Sequence, residues 1–225
     1  MKTTHSFIEN VLLQIPPASK NLRAMALLLV KRLKKNPGDF WSWDNLANLF
    51  FSEGFVLQSI DIYHKALKIK PALPVLHLRI GIAYYRLAYL GKAIVELEKA
   101  VSLDPDLAMA HYYLGFAYHH RGDSDQSLHH FQRVKEISPE TRIVYYHMAE
   151  AYLQRRRFQD AVDVLEKLLK VSPCSATAWC ALGEAYLGLY KNLEAAKAFR
   201  SALKHNPQDK RAETMLDMLT DAPSI

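Results

Sequence analysis

The stretch ATAWCALGEAYLGLYKNLEAAKAFRSALKHNPQD, residues 176–209, sets aromatic rings at Trp179, Tyr186 and Phe199, small residues at Gly183 and Ala195, and a proline at Pro207. Helical spacing places Trp179, Leu182, Gly183 and Tyr186 on one face of a first helix. It places Ala195, Phe199 and Ala202 on one face of a second. Gly183 and Ala195 let the two helices approach closely, and the rings fill the space around that contact. Pro207 stops the second helix and can open another. The stretch reads as a helical hairpin.

One hairpin cannot bury its own apolar face, and the chain does not depend on one. Pro37, Pro71, Pro105, Pro139, Pro173 and Pro207 each follow the last by 34 residues, which is the signature of a repeat architecture. Placing each proline thirty-second in its repeat gives repeats 40–73, 74–107, 108–141, 142–175 and 176–209. Column 8 then reads Ala47, Gly81, Gly115, Ala149, Gly183, and column 20 reads Ser59, Ala93, Ser127, Ala161, Ala195. Column 11 is aromatic throughout, with Phe50, Tyr84, Tyr118, Tyr152 and Tyr186, and column 4 holds Trp43, His77, His111, Tyr145 and Trp179. Stacked neighbours, not single hairpins, supply the stability of such an array.

These columns resemble the tetratricopeptide repeat, whose motif of Trp, Leu, Gly, Tyr, Ala, Phe, Ala and Pro is met by Trp179, Leu182, Gly183, Tyr186, Ala195, Phe199, Ala202 and Pro207. The resemblance covers residues 40–209 and implies an all-α, right-handed α-solenoid of helix-turn-helix repeats. The ends depart from it. In residues 1–39, Glu9 and Pro16 replace the aromatic residues of columns 4 and 11, and Pro16-Pro17 breaks any first helix. A helix from about Lys20 to Lys35 is the second half of a degenerate partial repeat. Residues 210–221 read as a capping helix, with Asp209 at its start, Ala212, Met215, Leu216 and Leu219 on one face, and a loose tail Ala222–Ile225 beyond.

Half of the 225 residues are apolar, so the chain can bury a core, and a net charge of +6 permits weak attraction to nucleic acid or an anionic membrane without demanding it. Two cysteines, Cys174 and Cys180, read as free thiols in a reducing compartment. The opening MKTTHSFIENVLLQIPPASK lacks the pattern of a secretory signal, and the apolar stretch Ala24–Val30 is too short to span a bilayer. A cytoplasmic location is expected.

Candidate chemistry concentrates in HHRGDSDQSLHH, residues 119–130. Metal ligands on helices sit one turn apart, whereas adjacent histidines point about 100° apart, so His119, His120, His129 and His130 do not make a metal site. Arg121-Gly122-Asp123 falls at an inter-helix turn, where Asp123 and Gln126 have capping-box spacing. His77 and His111 share a packing column with tryptophans. With no phosphate loop, nucleophile elbow or paired carboxylates, neither an enzyme nor a cofactor is expected. The basic runs Lys31-Arg32-Leu33-Lys34-Lys35 and Arg155-Arg156-Arg157 read as solvated edges, so nucleic acid is not the expected partner.

The resemblance also implies a concave groove lined by columns 2, 5, 6, 9 and 12. Here these supply Trp41, Asp44, Asn45 and Asn48, then Val75, Leu78, Arg79, Ile82 and Tyr85. Tyr112, Tyr113 and Phe116 follow, and then Tyr146, His147 and Glu150. The family's clamp for chaperone tails needs lysine at column 5 and asparagine at column 6 of the next repeat, where this chain has Asp44 and Arg79. The expected partner is instead another protein's apolar helix or extended segment, with Asn45 and Asn48 meeting its backbone. The function expected is that of a non-catalytic adaptor, scaffold or assembly chaperone. A nucleic-acid-binding repeat and a self-assembling scaffold are the rivals.

Overall fold

Helix follows helix along the chain in the computed structural model, which describes Leu13 and residues 20–220. The helices are α1 (Lys20–Lys35), α2 (Phe40–Ser52), α3 (Val56–Ile69), α4 (Pro74–Arg86), α5 (Leu90–Leu103) and α6 (Ala108–Arg121). They continue with α7 (Ser124–Ile137), α8 (Ile143–Gln154), α9 (Phe158–Val171), α10 (Ala176–Gly188), α11 (Asn192–His205) and α12 (Lys210–Thr220). No strand occurs among the described residues, and the fold is an all-α helical repeat. The break expected at Pro16-Pro17 and the tail Ala222–Ile225 lie outside the described residues. Two compact lobes, residues 1–117 and 118–225, make up the chain.

Each hairpin turns by the same device. At column 15, Gly54, Ala88, Gly122, Arg156 and Tyr190 all adopt positive φ, between +57° and +87°. The residue after each donates its N–H to the column-11 carbonyl, as in Tyr89 N–H to Tyr84 O and Lys191 N–H to Tyr186 O, both 2.9 Å. The column-15 N–H bonds the carbonyl three residues back, for example Tyr190 to Leu187 at 2.9 Å. The pair of bonds is a Schellman motif, which satisfies carbonyls the helix end would leave open. Gly122, inside the Arg-Gly-Asp tripeptide, is one of these turns. Asp123 accepts from Gln126 N–H at 3.2 Å and caps α7, as the spacing predicts.

Column 8 shows why glycine is used there. A Cβ on Gly81 would sit 2.6 Å from Leu97 Cγ, and one on Gly183 would sit 2.6 Å from Phe199 Cε1. Each glycine therefore lets a large side chain of its partner helix reach the backbone.

Column 4 joins consecutive repeats through a ring N–H. Trp43 Nε1 donates to Pro37 O at 2.9 Å, and Trp179 Nε1 to Pro173 O at 2.8 Å. His77 and His111 reproduce this bond from Nε2, to Pro71 O at 3.3 Å and Pro105 O at 3.0 Å. The histidines thus stand in for tryptophan as buried donors, which leaves no proline carbonyl stranded at those junctions. His77 Nδ1 lies 2.7 Å from Glu96 Oε2, and Lys99 bonds the other Glu96 oxygen at 2.7 Å.

At the N-terminal end, Leu22, Ala26, Val30 and Leu33 of α1 are buried at helical spacing in one core with Trp43, Leu46 and Phe50. Each large side chain removed from water contributes about 1.5–3 kcal/mol. At the other end Asp209 accepts from Ala212 N–H at 3.2 Å and starts α12. Ala212, Met215, Leu216 and Leu219 then pack on the core formed with Phe199 and Ala202.

Candidate functional site

The first helices of the hairpins, α2, α4, α6, α8 and α10, carry the residues assigned to the groove. Each lobe is described in turn.

In the N-terminal lobe, Trp41 is exposed and meets Phe40 edge-to-face, with Lys70 Nζ 5.4 Å from its ring centre. Asn45 is exposed. Asn48 is not open to a partner in the same way: Tyr63 donates to its Oδ1 at 2.6 Å, and its amide donates to Asp44 Oδ2 at 3.4 Å. Arg79 forms an ion pair with the buried Asp44. The network Asp44–Arg79 with Asn48–Tyr63 ties α2, α3 and α4 together, and burial pushes the Tyr63 hydroxyl up to about 12. Column 5 therefore holds Asp44 and Leu78 inside the stack.

Beside Asn45, Asn48 and Leu49, the α1 side chains Met25, Leu28 and Leu29 enclose a cavity of about 480 Å³. These α1 residues were not among the expected site residues. Their signal is the run Met25-Ala26-Leu27-Leu28-Leu29-Val30, apolar on more of the helix surface than one buried stripe requires.

Val75 and Ile82 of α4 are half-buried, and the rings of Tyr85, Tyr112, Tyr113 and Phe116 form one cluster. Tyr112 and Phe116 meet perpendicularly with centroids 4.7 Å apart, Tyr85 and Tyr113 at 5.8 Å, and Tyr85 and Phe116 at 6.3 Å. The first two pairs are edge-to-face, a geometry worth about 0.5–1.5 kcal/mol each beyond the area buried. Burial, followed by the neighbouring tyrosines, raises the hydroxyls of Tyr85 and Tyr112. All four rings stay half-buried, so they pack on one another and still present an aromatic surface.

The C-terminal lobe presents a different face. His147 stacks on Phe131 at 5.7 Å and its Nδ1 lies 3.0 Å from Glu150 Oε2. Burial alone would raise the Glu150 carboxyl, yet the His147 hydrogen bond and charge hold it below the usual carboxylate range. Burial and then Glu150 push the Tyr146 hydroxyl up to about 12. Further along, Arg211 of α12 reaches back to Glu184, donating from Nη2 to Oε2 at 2.7 Å. Tyr146, His147 and Glu150 lie together in polar surroundings, without the apolar character of the other lobe.

The histidines of residues 119–130 are spread among separate roles. His130 stacks flat on Tyr118 at 5.5 Å, and His119 Nε2 lies 3.4 Å from the Gln154 amide. No group of three metal-ligating side chains comes together among the described residues.

A helical-hairpin repeat with a side-chain-rich first-helix face is the build of a protein-interaction scaffold. Three tetratricopeptide repeat models match the chain, over residues 75–107, 106–173 and 146–210, and the chain belongs to the tetratricopeptide repeat family. No curated protein matches it significantly. Among solved structures it is similar to YrrB, described as a protein of this family with an unusual peptide-binding site. That match has a TM-score of 0.76 at 19% identity and covers 83% of this chain and 96% of the other. It is similar also to MamA, with a TM-score of 0.71 at 25% identity over 76% of this chain and 94% of that one. The Cut9-Hcn1 hetero-tetramer structure of APC/C matches with a TM-score of 0.65 at 20% identity, over 85% of this chain but 38% of that one.

Proposed function

We propose that the protein is a non-catalytic adaptor, scaffold or assembly chaperone that holds an apolar segment of another protein on its first-helix face. The repeats concerned are the five spanning 40–73, 74–107, 108–141, 142–175 and 176–209. One observation carries the reading: the half-buried cluster of Tyr85, Tyr112, Tyr113 and Phe116, with Val75 and Ile82 half-buried on the same helices. Aromatic residues dominate the energetics of protein interfaces. Trp41 and Asn45 extend this surface toward the α1 cavity. In the other lobe, Tyr146, His147 and Glu150 give a polar patch suited to hydrogen bonds, while Asn48 and Arg79 support the N-terminal face from within. No helix of the described residues is long and apolar enough to cross a membrane, and the free thiols of Cys174 and Cys180 suit the cytoplasm.

The test is capture from the native cell followed by mass spectrometry, repeated with Tyr113→Ala/Phe116→Ala. Losing two anchors removes about 2 kcal/mol or more of binding, so the captured partner should disappear while the helical circular dichroism and cooperative unfolding remain. Lys68→Glu, exposed on the second helix α3, should spare capture. The reverse order, with Lys68→Glu abolishing capture and the ring variant binding normally, would move the site to the other face.

A further inference from the structure

The fifth repeat departs from the other four at two columns of its second helix. Column 23 holds Ile62, Glu96, His130 and Val164, and then Ala198. Column 26 holds Lys65, Lys99, Arg133 and Lys167, and then Ser201. In the second and third repeats the column-23 side chain meets a ring of its own hairpin: Glu96 bonds His77 at 2.7 Å, and His130 stacks on Tyr118 at 5.5 Å. Ala198 carries only a methyl group, which is itself buried in the core. Trp179 is half-buried, whereas Trp43 in the same column is 2% exposed.

In this repeat an open pocket of about 500 Å³ lies within the C-terminal lobe, between α9 and α11. Its apolar lining comes from Leu169, Leu182, Ala198, Trp179 and Tyr186. Both rings already have their polar atoms bonded, Trp179 Nε1 to Pro173 O at 2.8 Å and Tyr186 OH to Glu166 Oε1 at 2.9 Å. What they offer an occupant is therefore ring surface. The rim is charged, with Lys170, Lys197, Glu166 and Glu194. Glu166 accepts from Tyr186 and keeps its charge, Glu194 is exposed near the start of α11, and Arg200 and Lys204 follow Lys197 along the exposed side of that helix, so four cations outnumber two carboxylates. None of Lys170, Lys197, Arg200 and Lys204 forms an ion pair among the described residues.

We propose that this pocket is a second protein-docking site, separate from the first-helix face, for an acidic segment carrying one aromatic or branched aliphatic anchor. The anchor lies against Trp179 and Tyr186 over Ala198, and carboxylates on either side of it meet Lys170 and Lys197. A basic segment would set its charges against these cations. A second copy of this chain would do the same, since its own α11 presents Lys197, Arg200 and Lys204.

The probe is a fluorescein-labelled peptide, Asp-Glu-Asp-Phe-Leu-Glu-Asp, followed by fluorescence anisotropy on the whole chain. It should bind saturably, and the same peptide with lysine at every acidic position should bind at least about tenfold more weakly, since opposite charge across the rim is lost. Ala198→Leu restores the bulk that the other repeats carry and should weaken binding by about tenfold or more, the effect of blocking one buried anchor, while the helical circular dichroism and cooperative unfolding remain. Lys197→Glu should also weaken it. Tyr113→Ala/Phe116→Ala should bind the peptide normally, so failure here and failure of the first-helix reading are distinguishable. The proposal is overturned by an absence of saturable binding, by equal binding of the lysine peptide, or by normal binding to Ala198→Leu. It is equally overturned if indole-3-acetate binds as tightly as the peptide, which makes the pocket a small-molecule site. A concentration-dependent dimer in light scattering that Ala198→Leu abolishes would give the pocket to a second copy and sink the proposal as well.

Discussion

Five different hairpins place a residue in the left-handed region at column 15, and only Gly54 and Gly122 are suited to it. A side chain there crowds the following carbonyl at a cost of about 1–2 kcal/mol. Arg156→Gly and Tyr190→Gly should therefore each raise stability by about 0.5–1 kcal/mol, once the greater freedom of glycine in the unfolded chain is subtracted. Urea midpoints measure this, and an unchanged midpoint in both variants would contradict the turn assignment. Glu96 supplies a second residue-scale effect. Burial alone would raise its carboxyl, but hydrogen bonds from Lys99 and His77 hold it below its ordinary 4.5. A carboxyl depressed in the folded state contributes stability above its unfolded value, and that contribution is lost as pH falls through the folded one. Wild type should thus exceed Glu96→Gln in stability at pH 7, with the gap closing in the acid range below about 4.5. A gap that stays constant across that range would show that the charge of Glu96 is not what stabilises the junction.

Between two helices, the contact distance decides whether glycine helps or harms. Alanine is favoured over glycine inside a helix by about 1 kcal/mol. Gly91, in α5, has nothing within 4 Å of the position an alanine methyl would take, so Gly91→Ala should gain stability. Gly183→Ala should lose about 1–3 kcal/mol in spite of the same helical preference, because its methyl would lie 2.6 Å from the buried ring of Phe199. Thermal melts of the two variants should move in opposite directions. Movement in the same direction would mean that helix propensity, and not the close approach of α10 and α11, governs column 8.

For the molecule as a whole, the net charge of +6 invites a test of the nucleic-acid rival. The cations are dispersed over several helices, and many are paired, as Arg79 is with Asp44 and Arg133 with Glu136. Binding of a mixed-sequence RNA should be no tighter than the non-specific range of about 10⁻⁴–10⁻⁶ M at physiological salt, and should fall steeply as salt rises. Tighter binding would return the rival to first place. Zinc should leave the melting temperature unchanged at low micromolar concentration, because the ring of His130 is stacked on Tyr118 and that of His119 faces Gln154. One firmly held zinc per chain after chelation and exchange would contradict this.

The hairpin and the all-helical class are legible in the order of residues, since both follow from local rules. Helical spacing selects a face, a glycine column marks a close contact, and proline breaks a helix wherever it falls. Tertiary structure alone decided which first-helix side chains remain open to a partner. Arg79 meets Asp44, 35 residues away, and Tyr63 meets Asn48, 15 residues away, only through helix packing, which sets α4 and α3 against α2. It also gathers Tyr85 with Tyr112, Tyr113 and Phe116, and leaves the rings of Trp179 and Tyr186 facing an open pocket. A repeat column records that a residue is small or aromatic. Whether a neighbouring hairpin fills the space beside it depends on distances between side chains that are remote in sequence, and those arise only when the hairpins pack.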